Sequence, residues 1–116
     1  MRTWLLAGVV AISAVAPAAA AMLAPNEIQA TFFNGQPFTA SSGSTKYKMT
    51  FATDGKMTRE PVGGAGAKSE GTWKLTKEGF CSTWKGAKAN CYRVQTDGDN
   101  KWSVMKGTAK IATWTK

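Results

Sequence analysis

The chain contains no histidine, only two cysteines and only seven acidic residues among its 116 residues. Without imidazole it lacks the usual general base of nucleophilic triads and the commonest metal ligand. Two cysteines cannot complete a structural zinc site, which takes four cysteine or histidine ligands. The composition therefore predicts a non-enzymatic protein with no metal site and no cofactor.

The few acidic residues do not point to catalysis either. A glycosidase needs two carboxyls that flank a cleft, and nothing in the sequence singles out such a pair. In Asp97-Gly98-Asp99-Asn100 the oxygen-bearing side chains alternate as calcium ligands do, but the distal glutamate of an EF-hand loop does not follow. Asp, Gly and Asn are also the residues that tight turns require, so the segment predicts a turn.

Residues 1–21 have the pattern of a secretory signal peptide. Arg2 precedes an uncharged apolar stretch at residues 4–16, and an alanine run follows. The A-x-A cleavage pattern fits at residues 18–20 and again at 19–21. The apolar stretch is shorter than the roughly 20 residues of a membrane span. We therefore expect a bacterial protein exported to the periplasm or the medium, with no transmembrane span after cleavage.

Residues 22–116 are expected to form a single β domain. From Tyr47 onward apolar and polar residues alternate, as in strands with one buried face. Turn signals such as Asp54-Gly55 recur at intervals of about ten residues, which is typical of antiparallel meanders and small barrels. The predicted fold is mainly β, an antiparallel meander of six to seven strands closing toward a small barrel.

A short helix is predicted before this sheet. Pro25 suits the first turn of a helix, and Leu23, Ile28 and Phe32 can share one face. Asn34-Gly35 would end it. Such a helix would pack over an open end or an edge of the sheet, where it covers unpaired backbone groups.

The two cysteines, Cys81 and Cys91, are best explained as a structural disulfide. Thioredoxin-type redox sites use C-x-x-C at the start of a helix, whereas these residues stand ten apart in a strand-like context. A hairpin that turns near Gly86 would place them opposite each other, and disulfides are expected in exported proteins. Closing so short a loop should stabilise the domain by about 3 kcal/mol.

Several motifs resemble a family of small exported bacterial proteins classed as a domain of unknown function. They are "FATDGKM", "EGTWKL", "GFCSTW" and "NCYRV", preceded by "LAPNEIQATFFNGQ", which is similar to the helix and glycine-ended loop that open the family pattern. The resemblance covers roughly Leu23 to Lys101. It implies an envelope location, a mostly β fold and a disulfide, but no established activity.

The chain is basic, with a formal net charge of +8. Its lysines are scattered rather than clustered, and such a surface favours anionic partners. Export points to an anionic envelope polymer or lipid and disfavours nucleic acid. The tryptophans should mostly fill the core, but Trp84 adjoins the lysine-bearing turn and is a candidate for contact with a sugar or lipid head group. The predicted ligand-binding residues are Trp84, Lys85, Lys88, Lys48, Lys74 and Arg93.

The leading hypothesis is an exported envelope protein that binds an anionic or amphipathic ligand through a cationic, Trp-bearing face. The alternative is a protein-binding accessory or inhibitor module of the periplasm, which would use an exposed sheet edge or the glycine-rich loop at residues 62–68. The two hypotheses differ in salt response, because binding of a polyanion weakens steeply with salt and an apolar protein interface does not.

Overall fold

The structure of the chain is a computed structural model that describes residues 21–63 and 66–116. Eight antiparallel strands form a closed barrel in which each strand pairs with the next and the last pairs with the first. Within the described residues, one helix precedes them. The elements are α1 (Pro25–Thr31), β1 (Phe38–Ser42), β2 (Thr45–Phe51), β3 (Lys56–Pro61), β4 (Ser69–Leu75), β5 (Phe80–Trp84), β6 (Asn90–Thr96), β7 (Lys101–Lys106) and β8 (Ala109–Thr115).

The mainly β class and the meander agree with the sequence prediction, but the strand number was wrong. The strand that was missed is β1, whose sequence "FTASS" consists largely of small residues and runs into a Ser-Gly-Ser turn. Its strand conformation depends on both neighbours, because Ala40 lies opposite Tyr47 of β2 and opposite Trp114 of β8. The β8 partner comes from the other end of the chain, so short-range periodicity does not reveal it.

The predicted turns lie where the sequence placed them. Between β2 and β3 the Asp54 carboxylate accepts a hydrogen bond from the backbone N–H of Lys56 at 3.0 Å, and Gly55 has a φ of 92°. That φ lies in the left-handed region, which glycine adopts without steric cost. The hairpin between β5 and β6 likewise turns at Gly86, with a φ of 83°.

Helix α1 covers one end of the barrel. Pro25 occupies its first turn, and the Glu27 carboxylate accepts a hydrogen bond from the backbone N–H of Ala24 at 2.7 Å. Ile28 and Phe32 are fully buried. Because the eight described strands close on themselves, the helix covers an end of the barrel and not an edge of the sheet. No helix in the described part of the chain is long and apolar enough to cross a membrane.

An aromatic cluster closes the barrel at the helix end, which is the end where β1 begins. Phe33 stacks on Phe51 with ring centroids 4.4 Å apart and meets Phe80 edge to face at 5.1 Å. Phe32 meets Trp114 edge to face at 4.8 Å. Each such pair contributes about 0.5–1.5 kcal/mol beyond the burial of its area. The opposite end, bordered by the connections after β1, β3, β5 and β7, is called the cavity end below.

A short N-terminal segment lies beside β6. The backbone N–H of Leu23 donates to the Val94 carbonyl at 2.8 Å, and that of Thr96 donates to the Ala21 carbonyl at 2.9 Å. The pairing of β5 with β6 reaches only as far as Tyr92, so this segment pairs with the part of β6 that β5 leaves free. The rest of the predicted signal peptide, residues 1–20, lies outside the described residues.

Cys81 of β5 and Cys91 of β6 are directly opposite each other. Their sulfur atoms lie at disulfide distance, in agreement with the pairing expected from the sequence. By strand alternation both side chains point outward from the barrel, because their neighbours Phe80 and Tyr92 line the interior. The disulfide therefore links two strands without occupying interior volume.

Replacing both cysteines by serine should lower the free energy of unfolding by about 3 kcal/mol, because the unfolded chain regains the entropy of the closed loop. Urea unfolding under non-reducing conditions measures the loss. Reduction of the unaltered protein serves as the control and should produce a similar loss. An unchanged unfolding midpoint in the double serine variant would rule out a stabilising disulfide.

Candidate functional site

The six predicted ligand-binding residues do not share one face of the barrel. Lys48, Lys74 and Arg93 belong to β2, β4 and β6, and strand alternation directs all three outward. Trp84 of β5 lines the barrel interior. Lys85 and Lys88 lie exposed in the turn after β5.

Two of the three outward cations have neighbours other than a cation. Lys48 lies 3.9 Å from the carboxylate of Glu60 on the neighbouring strand. Lys74 lies opposite Cys81 in the pairing of β4 with β5. The cationic, Trp-bearing face is therefore two features, a dispersed set of cations on the outer surface and an interior tryptophan.

The residue that brings positive charge to Trp84 is Arg59. Met57 and Arg59 are two residues apart on β3, so their side chains point to the same face of the strand, and Met57 is buried in the core. Arg59 therefore enters the barrel interior, where it lies opposite Met49 in the pairing of β2 with β3. Its guanidinium carbon is 4.2 Å from the ring centroid of Trp84 and 4.9 Å from that of Tyr47. Both distances are within the range of cation–π attraction.

Arg59 has no acidic partner among residues 21–63 and 66–116. The ion pairs found there are Lys48–Glu60 and Lys110–Asp97. The Nε atom of Arg59 is buried and makes no hydrogen bond to any of the described residues. A buried donor without an acceptor costs about 1–3 kcal/mol, and more when the group is charged. Arg59 is thus held in place by aromatic stacking while its charge and one of its donors are uncompensated.

A cavity of about 130 Å³ adjoins Arg59 inside the barrel. It reaches the surface at the cavity end, where Ile111 is 39% exposed. Most of its lining is apolar, and four hydroxyl-bearing residues also line it. The lining residues are Ala40, Ser42, Tyr47, Met49, Phe51, Arg59, Phe80, Ser82, Trp84, Tyr92, Val104, Ile111, Ala112 and Trp114.

Among the described residues, Arg59 is the one charged residue in that lining. The charge of Arg59 affects the Tyr92 phenol, which lines the same cavity. Burial raises the pKa of Tyr92, and the positive charge of Arg59 acts in the opposite direction. Because the net change is upward, the phenol is protonated at neutral pH and can donate a hydrogen bond. The cavity thus offers a cation, at least one hydroxyl donor and an apolar interior.

Further lysines surround the cavity end. Lys46 and Arg59 line one surface depression, and Lys68 and Lys85 line another together with Arg59 and Trp84. The second depression also contains a carboxylate, that of Glu70. Positive charge at the rim of a cleft raises the local concentration of anions and their rate of association.

Gly71 makes room for Trp84 in the wall of the cavity. The two residues are paired across β4 and β5. A Cβ atom at residue 71 would lie 2.8 Å from Cε of Met57 and 3.0 Å from Cα of Trp84, and would collide with the carbonyl oxygen of Thr83. The glycine in the "EGTWKL" motif is therefore required by the close approach of the two strands.

The acidic residues of the described ranges do not assemble into a metal site. No cluster of three or more histidine, cysteine, aspartate or glutamate side chains occurs there. In the turn after β6, the Asp97 carboxylate accepts hydrogen bonds from Lys110 at 3.2 Å and from Ser103 at 3.1 Å. These two bonds, that from Lys110 foremost, lower the pKa of Asp97. Its carboxylate is thus engaged in structural contacts, as a turn residue would be.

Comparisons with protein-family models, with curated proteins and with solved structures found no match to this chain. The resemblance to the family of small exported proteins therefore stays a prediction based on the motifs quoted above.

Sequence reasoning missed Arg59, although a signal was present. In "KMTREP" the alternation that places Met57 inside also places Arg59 inside. An inward-facing arginine runs against the expectation that charged residues face solvent, which makes the parity of Arg59 the clue to the site.

Replacing Arg59 by Met should leave the free energy of unfolding unchanged or raise it by about 1 kcal/mol, because removal of the uncompensated donor and charge outweighs the loss of the two cation–π contacts while the apolar stem is kept. Lys74→Met removes the same charge from the outer surface and should change stability by less than about 0.5 kcal/mol. Urea unfolding of both variants measures the difference. A loss of about 2 kcal/mol or more in Arg59→Met alone would show that the contacts of Arg59 stabilise the fold more than its uncompensated donor destabilises it, which would make Arg59 a structural residue.

Proposed function

We propose that this protein is a non-enzymatic, exported envelope protein that binds a small amphipathic anion inside the cavity end of its barrel. The observation that supports this proposal is the guanidinium of Arg59, stacked between Trp84 and Tyr47 beside a cavity and without a carboxylate partner in the described part of the chain. The anionic group of the ligand is the partner that Arg59 lacks.

The energetics favour an anion over a neutral ligand. A charge–charge interaction is stronger in a partly buried site than in water, because the effective dielectric constant is lower. The aromatic rings hold the guanidinium in one orientation, so little conformational entropy is lost when a ligand binds. The bound anion would also offset the desolvation that Arg59 experiences in the free protein.

This proposal gives the predicted binding residues different roles. Trp84 orients Arg59 and forms part of the cavity wall, and Lys85 at the rim attracts the anion electrostatically. Lys48, Lys74 and Arg93 lie on the outer surface and make no contact with a ligand in the cavity. Lys88 belongs to the same turn as Lys85 and contributes to the field around the entrance.

The alternative of a protein-binding module receives less support. Its sheet-edge mode requires an unpaired strand, and the described strands form a closed barrel. Its other mode requires the loop at residues 62–68, of which residues 64 and 65 lie outside the described part of the chain.

Binding can be measured through tryptophan fluorescence and thermal shift of the oxidised mature protein with three carboxylates: acetate, benzoate and decanoate. At least one should bind saturably, with one ligand per chain, and change the tryptophan fluorescence, since Trp84 and Trp114 line the cavity. Arg59→Met should weaken that binding by roughly tenfold to a hundredfold, the usual value of a hydrogen bond to a charged group.

The matched control is Lys74→Met, which lowers the net charge equally but lies on the outer surface. It should leave the affinity nearly unchanged. Equal weakening in both variants, together with a steep loss of binding at high salt, would indicate nonspecific attraction to a basic surface and contradict the proposal.

A further inference from the structure

The shape and chemistry of the cavity restrict the ligand further than the charge of Arg59 does. We infer, on the basis of the proposed function, that the site takes a compact monocarboxylate with a single ring or a short chain, and that it excludes long-chain fatty acids and lipid tails. Three features of the structure support this inference.

The first feature is the number and place of charges. In the part of the chain that the structure describes, Arg59 is the one charged side chain in the cavity lining, and the lysines lie at the rim or on the outer surface. A single cation matches a single negative charge. A dianionic group such as a phosphate monoester would bury a second charge without a partner, which is costly.

The second feature is the orientation of the guanidinium. The guanidinium carbon lies 4.2 Å from the ring centroid of Trp84 and 4.9 Å from that of Tyr47, so both rings contact the guanidinium. The N–H groups of arginine point outward in the guanidinium plane, in a fork that fits the two oxygens of a carboxylate. The protonated Tyr92 phenol lines the same cavity and can donate to an oxygen of the ligand.

The third feature is that the cavity ends blindly. Its deep wall includes Phe51, Phe80 and Trp114, which contact one another with ring centroids 5.5 to 6.2 Å apart. Behind them Phe33 is fully buried and stacks on Phe51. With the carboxylate at Arg59, an apolar tail that points inward and is longer than the cavity would have to displace this cluster, and close-packed cores resist added volume at a cost of about 1–3 kcal/mol or more. A tail that instead left through the open end would expose its apolar surface to water.

The size of the cavity sets the scale of the ligand. At about 130 Å³ the cavity is slightly smaller than an engineered apolar cavity of about 150 Å³ that binds benzene. The apolar body of the ligand is therefore about one ring in size, with the carboxylate directed toward Arg59.

Benzoate and decanoate separate this inference from the proposed function. Titrations of the unaltered protein and of Arg59→Met, followed by isothermal calorimetry below the concentration at which decanoate forms micelles, give the Arg59-dependent affinity for each. We expect Arg59-dependent binding of benzoate, and binding of decanoate that is at least about tenfold weaker and insensitive to Arg59→Met. Phenylphosphonate should bind more weakly than benzoate at a pH at which it is a dianion.

Each other result has a distinct meaning. Decanoate that binds as tightly as benzoate and depends on Arg59 would overturn the size limit and leave the proposed function standing. Phenylphosphonate that binds more tightly than benzoate would overturn the preference for a carboxylate. Absence of Arg59-dependent binding for all three probes would overturn the inference and the proposed function together.

Since Arg59→Met keeps the apolar stem, the variant is expected to fold, and the unfolding experiment described above verifies this. Ser82→Phe provides a second test that leaves the arginine in place. Ser82 lines the cavity and is buried, so a large side chain there would fill the cavity. Loss of benzoate binding in this variant, with a retained cooperative unfolding transition, is the expected result, and unchanged binding would place the ligand outside the cavity.

Discussion

Filling the interior of an eight-stranded barrel is the constraint on which the rest of this structure depends. A barrel of this size is just wide enough for side chains to fill it or for one small ligand to fit inside. At the helix end, Phe32 and Phe33 enter from the segment after α1 and complete an aromatic core. Toward the cavity end several interior positions are small, among them Ala40, Ser82 and Ala112, and volume is left over.

One end of the barrel interior is closely packed and the other is not, and Arg59 projects into the unfilled end. A residual volume lined only by apolar groups would be a packing defect, which costs stability without recognising any polar group. Here a cation projects into it, stacked on Trp84 and Tyr47 and lacking an acidic partner in the described ranges. Proteins commonly retain such destabilising arrangements where function requires them. Stability and binding should therefore oppose each other at Arg59, which a purely structural arginine would not show.

Much of the fold could be predicted from the sequence because its signals are local. The alternation in β2, the Asp54-Gly55 turn and the spacing of the cysteines each depend on a few neighbouring residues. Strand β1 could not be predicted in this way, since its small polar residues become a strand only through pairing with β8, far along the chain.

The candidate site was only partly predictable for a similar reason. Trp84 was identified from its place beside the lysine-bearing turn. The sequence prediction placed it on one face with Lys48, Lys74 and Arg93, but strand alternation directs these three side chains outward while Trp84 lines the interior. The alternation in β3 predicts that Arg59 points inward, yet nothing in the neighbouring sequence shows that Trp84 of β5 and Tyr47 of β2 will contact it. That arrangement arises from the successive pairings of β2 with β3, β3 with β4 and β4 with β5, which bring side chains of three strands around one guanidinium.

The most direct test of this account is the nitrogen-15 NMR signal of the Arg59 side-chain Nε–H, titrated with benzoate. If Arg59 lies inside the barrel and binds the ligand, its resonance is shifted by the ring currents of Trp84 and Tyr47, its proton exchanges slowly with water because Nε is buried, and the resonance shifts further and saturably as benzoate binds. A resonance at the position of an exposed arginine, in fast exchange and unmoved by benzoate, would contradict the placement of Arg59 inside the barrel and its role in binding.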